Sequence, residues 1–197
     1  SIYIASRGTR FEATRLKLVG ESESVQHLLR DLILEESRNA ASANARIVAL
    51  LAWVLLGLDA LSDLRARITS LRLSGSESVA AFSRIIAGLI ALIFEVADAS
   101  VDPDISRLLV SLFNLVEGKE LAGQERAVGA LHFGSGHCDG PLNERLLYLI
   151  DAQARSFEVF LQFADAPLCR KWADIENEDY TAKLLQLRGL LRAAPPG

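Results

Sequence analysis

Methionine is absent from these 197 residues, and cysteine, histidine, lysine and proline number only two, three, four and five. The two cysteines, Cys138 and Cys169, form no C-x-x-C pair, which excludes a redox dithiol or a zinc ribbon. A zinc set drawn from His132, His137, Cys138 and Cys169 fits neither a finger nor an H-E-x-x-H spacing, so no metal and no cofactor are expected. With so few histidines and no convergent nucleophile pattern, an enzyme is not expected either. The 21 basic residues are 17 arginines and 4 lysines, spread along a chain of net charge −4, which argues against a nucleic-acid surface. Long apolar runs are also missing. The longest, Ile47 to Leu58, ends at Asp59 and is well short of the roughly 20 residues a bilayer requires, so it reads as a buried core helix and no membrane span is expected. Nothing marks a secretory leader, and the thiols read as free in a cytoplasmic setting. The opening "SIYIASRGTR" has no methionine and begins mid-pattern, as a piece of a longer protein would.

What the chain does have is 50% hydrophobic content recurring at three- and four-residue spacing, with no sustained period-two alternation. This predicts an all-α fold. Helices are expected over Phe11–Ser37, with a possible kink at Gly20, and over Asn44–Leu71. Another is expected over Glu77–Ala99 behind a Ser76 cap. Asp102 and Pro103 have the cap-then-proline order of a helix start, and that helix runs to about Gly134. The loop "GSGHCDGP" ends it, Pro141 opens the next helix to about Ala164, and a shorter helix precedes a last one near Tyr180–Arg192. The closing "AAPPG" reads as a linker or an end. Short connections force neighbours to run up and down, so antiparallel bundles are expected: two packed four-helix-type bundles sharing the long helix. The whole of 1–197 is expected as one domain, with possible subdomains 1–101 and 102–197 and the boundary near Ser100–Asp104.

Within the long helix, "GKELAGQERAVGAL" (Gly118 to Leu131) sets three glycines around Arg126. Each glycine costs a helix interior up to about 1 kcal/mol relative to alanine, so something must compensate. Helical spacing puts Lys119, Gly123, Arg126 and Ala130 on one strip and Gly118, Ala122, Glu125 and Gly129 on the next. Small residues admit another backbone closely, and a guanidinium caught in such a crossing needs an anion. Either a glutamate such as Glu125 or Glu120 supplies it, or a ligand does.

"GKELAGQERAVGALHFGSG" (118–136) resembles the nitrate- and nitrite-sensing (NIT) domain, above all that of cytoplasmic nitrate-responsive transcription antiterminators that carry an RNA-binding ANTAR domain. The similarity extends through "AFSRIIAGLIALI" (81–93), "VDPDISRLLVSLFNLVEGKE" (101–120) and "LLQLRGLLRAAPP" (184–196). It implies a two-bundle helical sensor that binds nitrate or nitrite through arginines, with Arg126 of "GQERA" and Arg188 of "LQLRG" as the ligand residues. Gly123, Ala122, Gly129 and Ala130 are then the supporting pocket. RNA would be a partner only through an output domain not contained in this chain, and a homodimer is compatible with the pattern. Planar guanidinium suits planar nitrate, since it offers two parallel N–H donors to two oxygens of one weakly hydrated monoanion.

Members of that family carry an earlier "QRERG" motif, which this chain does not contain. "SIYIASR" (1–7) aligns with "ALHFGSG" (130–136) as an internal duplication, which places the counterpart of Arg126 four residues before Ser1 and leaves half of an arginine pair in this chain. The alternative reading is a structural, dimerising helical signalling module whose arginines sit in ordinary salt bridges. An arginine that has a carboxylate partner favours that alternative, and one that faces open space favours the sensor.

Overall fold

The computed structural model describes residues 2–8, 11–39, 45–134 and 140–193. The fold is all-α. Among the described residues there are nine helices and no strand: α1 (Ile2–Ala5), α2 (Glu12–Asn39), α3 (Ala45–Asp59), α4 (Leu61–Thr69), α5 (Gly75–Ala99), α6 (Pro103–Gly134), α7 (Gly140–Phe163), α8 (Ala166–Glu176) and α9 (Asp179–Ala193). Two compact units divide between Val96 and Ala97. The long helix expected to be common to both bundles, α6, lies wholly in the second unit, and it is α5 that crosses the division by its last three residues. The loop residues 135–139, with His137 and Cys138, and the closing 194–197 lie outside the described residues.

The first unit closes around Ile33 of α2, Leu51, Val54 and Leu58 of α3, and Leu61 and Leu64 of α4, with Ile85 and Leu89 of α5 packed against them. Glycine sets the α3–α5 approach: a Cβ on Gly88 would meet Trp53 at 2.7 Å, and one on Gly57 would meet Ile85 at 3.4 Å. α2 runs through Gly20 without interruption. The span expected as one helix over Asn44–Leu71 is two, broken at Ala60, although the i→i+4 bonds Ala60 N–Leu56 O and Leu64 N–Ala60 O persist on either side. Gln26 of α2 donates to the Leu58 carbonyl beside the break at 2.8 Å. Helix thus continues well past Asp59, where the apolar run stops. By length and composition alone 45–69 and 75–99 are each long and apolar enough to cross a membrane. The apolar side chains of α2 are divided: Ile33 is buried, whereas Leu16, Val25, Leu28 and Leu32 are at least half exposed.

The start of α5 corrects one expectation. Ser74, not Ser76, is the cap: its Oγ accepts from the Glu77 N–H at 3.2 Å, while the Glu77 carboxylate accepts from the Ser74 N–H at 2.8 Å. This reciprocal pair is a capping box, and it requires serine three positions before glutamate, a spacing that only Ser74 has. Hydrogen bonds from the Ser74 N–H and hydroxyl hold the Glu77 carboxyl below its ordinary range. A depressed carboxyl adds stability at neutral pH that is lost on acidification, as pH falls through the lowered folded value. Ser74→Ala is expected to lower stability by about 1 kcal/mol, read as a shifted midpoint in urea unfolding. No change would mean that the box is idle.

In the second unit Asp102 caps α6 as expected, its Oδ1 accepting from the N–H of Asp104 at 2.9 Å with Pro103 in first position. α6 and α7 run antiparallel. Arg107 meets Gln162, Ser111 meets Phe160, Ser156 meets Glu117, and Gln124 meets Arg145. Leu146, Leu149, Ile150 and Phe160 of α7 are at most 3% exposed and form this unit's core. α8 begins at the Asp165 cap and sets Trp172 on the rings of Phe157 and Phe160, at 4.6 and 5.5 Å between centroids.

Candidate functional site

The two strips of the glycine-rich stretch face different surroundings. Gly118 lies under Phe157 of α7, whose ring a Cβ at 118 would overlap, and Gly129 lies against Leu146 at ordinary contact distance. The strip of Gly118, Ala122, Glu125 and Gly129 is therefore the one pressed on α7. The glycine cost in α6 is offset by this close approach, which a larger side chain at 118 would prevent.

The neighbouring strip is clear. A Cβ on Gly123 would have no neighbour within 4 Å, and Arg126 is exposed. Arg126 makes no hydrogen bond or ion pair with any protein group among the described residues. Its two expected carboxylates are directed elsewhere: Glu120 accepts from Gln124 at 2.9 Å, and both oxygens of Glu125 are taken by Arg188. Lys119 and Ala130 share the Arg126 strip by spacing, and Lys119 is likewise exposed.

Arg188 is in the opposite condition. Its Nε donates to Glu125 Oε1 at 2.9 Å, and its Nη2 donates to Glu125 Oε2 and to Gln153 Oε1, each at 2.6 Å. Gln153 in turn donates to Glu125 Oε2 at 2.6 Å and to the Leu149 carbonyl at 3.2 Å. Glu125 and Arg188 side chains are 13% and 16% exposed, and Gln153 is 3% exposed. The charges cancel within the cluster, whose bidentate geometry is the strong form of an arginine–carboxylate pair. The structure thus brings Arg188 to Glu125 and Gln153, and leaves Arg126 apart from all three. Sequence reasoning missed Glu125 and Gln153 as partners. The available signals were a carboxylate on the small-residue strip and an amide amid the apolar positions of α7.

Among the described residues no group of three or more His, Cys, Asp and Glu side chains is placed to hold a metal ion, and Cys169 is a free thiol. A cleft of about 320 Å³ in the first unit, walled by Trp53, Arg67 and Arg84, contains none of the candidate site residues.

The family model for nitrate and nitrite sensing matches residues 1–196, nearly the whole chain. The chain belongs to the NIT family. It is 37% identical over 142 residues to the nitrate regulatory protein of Klebsiella oxytoca, a match covering 72% of this chain and 35% of that protein. Among solved structures it superposes on the NasR transcription antiterminator with a TM-score of 0.86 and 28% identity, covering all of this chain and 52% of that one. This NIT domain therefore spans about a third of the curated relative and about half of the solved one, and shares an all-helical fold with the latter.

Proposed function

We propose that this NIT domain is a non-catalytic receptor that takes nitrate or nitrite on Arg126 and passes its occupancy to an output module of the protein that carries it. One observation carries the reading: in a chain of this family, Arg126 stands exposed and, among the described residues, without a protein partner, on a helix face that Gly123 keeps low. Gly123 and Ala130 flank it on its own strip, and Ala122 and Gly129 lie on the next, so the helix surface around the guanidinium is low. A planar monoanion can approach it edge-on and accept two parallel N–H bonds. An exposed guanidinium alone holds nitrate weakly against water and salt. Tight binding requires that a further donor and a covering surface close over the ion, and the clear strip leaves space for them. Arg188 serves the site through Glu125 in this reading, since its Nε and Nη2 donors are already engaged there. By analogy with the antiterminator relative, the output is RNA-binding and the setting cytoplasmic, with no membrane attachment.

The test is thermal unfolding in nitrate against chloride at matched ionic strength. At a hundred times the dissociation constant, specific binding adds about 2.7 kcal/mol, roughly 5 to 11 °C for a chain of this size. Arg126→Ala is expected to abolish the difference, and Arg126→Lys, which keeps the charge and loses the fork, to reduce it. Coincident curves in the two salts for the unsubstituted protein would leave the scaffold reading, which the Glu125–Arg188 pair favours.

A further inference from the structure

α9 is attached with little apolar burial. None of its residues is buried, and Leu184, Leu185, Leu187 and Leu190 are 41 to 63% exposed. Leu191 is half-buried, and the hydrogen bonds that tie the helix to α6 and α7 are those of Arg188 to Glu125 and Gln153 and of Arg192 to Asp151. Apolar contacts tolerate sliding, but a two-pronged arginine–carboxylate bond fixes both distance and angle. An element held by few buried contacts opens at low free-energy cost, so the placement of α9 depends on where the Glu125 carboxylate stands.

Glu125 is the residue next to Arg126. Successive helical positions point about 100° apart, so one turn of α6 aims Arg126 outward and Glu125 at α7 and α9. We infer that the Glu125–Gln153–Arg188 cluster is a coupling joint through which the state of Arg126 on α6 is read at α9. The inference rests on the anion reading of Arg126 given above. A movement of α6 on anion binding carries Glu125 with it, and bonds of 2.6 Å do not stretch to absorb a shift. α9 must follow or be released. These are two packings of one helix, and an anion that binds better in one shifts the balance between them. Arg188 is accordingly a positioning residue that acts on the signal through Glu125.

The experiment is hydrogen–deuterium exchange of the α9 amides in the protein that carries this domain, in potassium nitrate against potassium chloride at matched ionic strength, with nitrate affinity measured separately by calorimetry. Nitrate is expected to change α9 exchange by at least about fivefold, the low end of ordinary coupling between two sites. In Glu125→Gln the new side-chain NH2 confronts the Arg188 donors, so the joint is loosened. Nitrate affinity is expected to persist there while the nitrate dependence of α9 exchange disappears. Arg188→Lys, which keeps the charge and loses the fork, is expected to lose that dependence as well. Nitrate binding with no response in α9, or a response that survives Glu125→Gln, overturns the joint and leaves the anion site standing. Loss of affinity in Glu125→Gln overturns the division between a ligand arm and a positioning arm. Absence of nitrate binding to the unsubstituted protein overturns the anion reading, and the joint with it.

Discussion

Phe160→Ala is expected to lower the stability of the second unit by about 3–5 kcal/mol, or roughly 6 to 20 °C in Tm for a chain of this length. The ring is 3% exposed, with the Trp172 indole of α8 5.5 Å away. Truncation removes the transfer free energy of a phenyl group and leaves a cavity that three surrounding helices cannot fill without moving. The backbone at this residue is committed too, because the Phe160 carbonyl accepts from the buried Ser111 hydroxyl. The two tryptophans make the result specific to one unit. Trp53 is in the first unit and Trp172 in the second, so a Trp53→Phe background leaves emission from Trp172 as the reporter. Leu56→Ala, at a residue 68% exposed, is the control and is expected to change stability by no more than about 0.5 kcal/mol. A loss below 1 kcal/mol for Phe160→Ala would mean that α7 is not the spine of the second unit.

Periodicity and punctuation made most of the helices legible. Asp102 and Pro103 announce α6 because a short acidic side chain and a residue without an N–H each solve a helix-start problem locally. Where the deciding partner is distant, the sequence is silent. The break falls at Ala60, a good helix former, and Gln26 from another helix donates to the Leu58 carbonyl beside it. The α5 cap lies two residues before the Ser76 that pattern alone favours, because Ser74 and Ser76 compete ahead of Glu77 and only Ser74 stands three positions before it. The glycine strips show the same limit at the candidate site. Spacing separates Arg126 from Glu125 by one helical position, but which strip meets α7 depends on how Phe157 seats over Gly118, and no local pattern encodes that. For the same reason the partner of Arg188, 63 positions away, is found only when α6, α7 and α9 are assembled. The uncovered leucines of α2 and α9 mark a further limit, since an amphipathic pattern shows that a face is apolar and not what covers it.

The second large effect separates the fold from the signal. Glu125→Ala is expected to cost about 3 kcal/mol or more, because it leaves the Arg188 guanidinium, 16% exposed, with only the Gln153 amide to receive its donors. The triple replacement Glu125→Met, Gln153→Leu and Arg188→Met removes every member of the cluster together and leaves no orphaned charge. Its stability is expected to equal or exceed that of the unsubstituted protein, since ion pairs this enclosed lose in desolvation much of what they gain in attraction. Urea midpoints of the two variants decide the matter. If the triple variant is as unstable as Glu125→Ala, the cluster is a stabilising pair and the scaffold reading gains. If it is stable, the polar cluster is not required for folding, and its presence where α9 meets the helix of Arg126 is accounted for by directionality. Methionines would pack there but would let α9 slide, whereas the fork ties its position to a single carboxylate one residue from the proposed anion site.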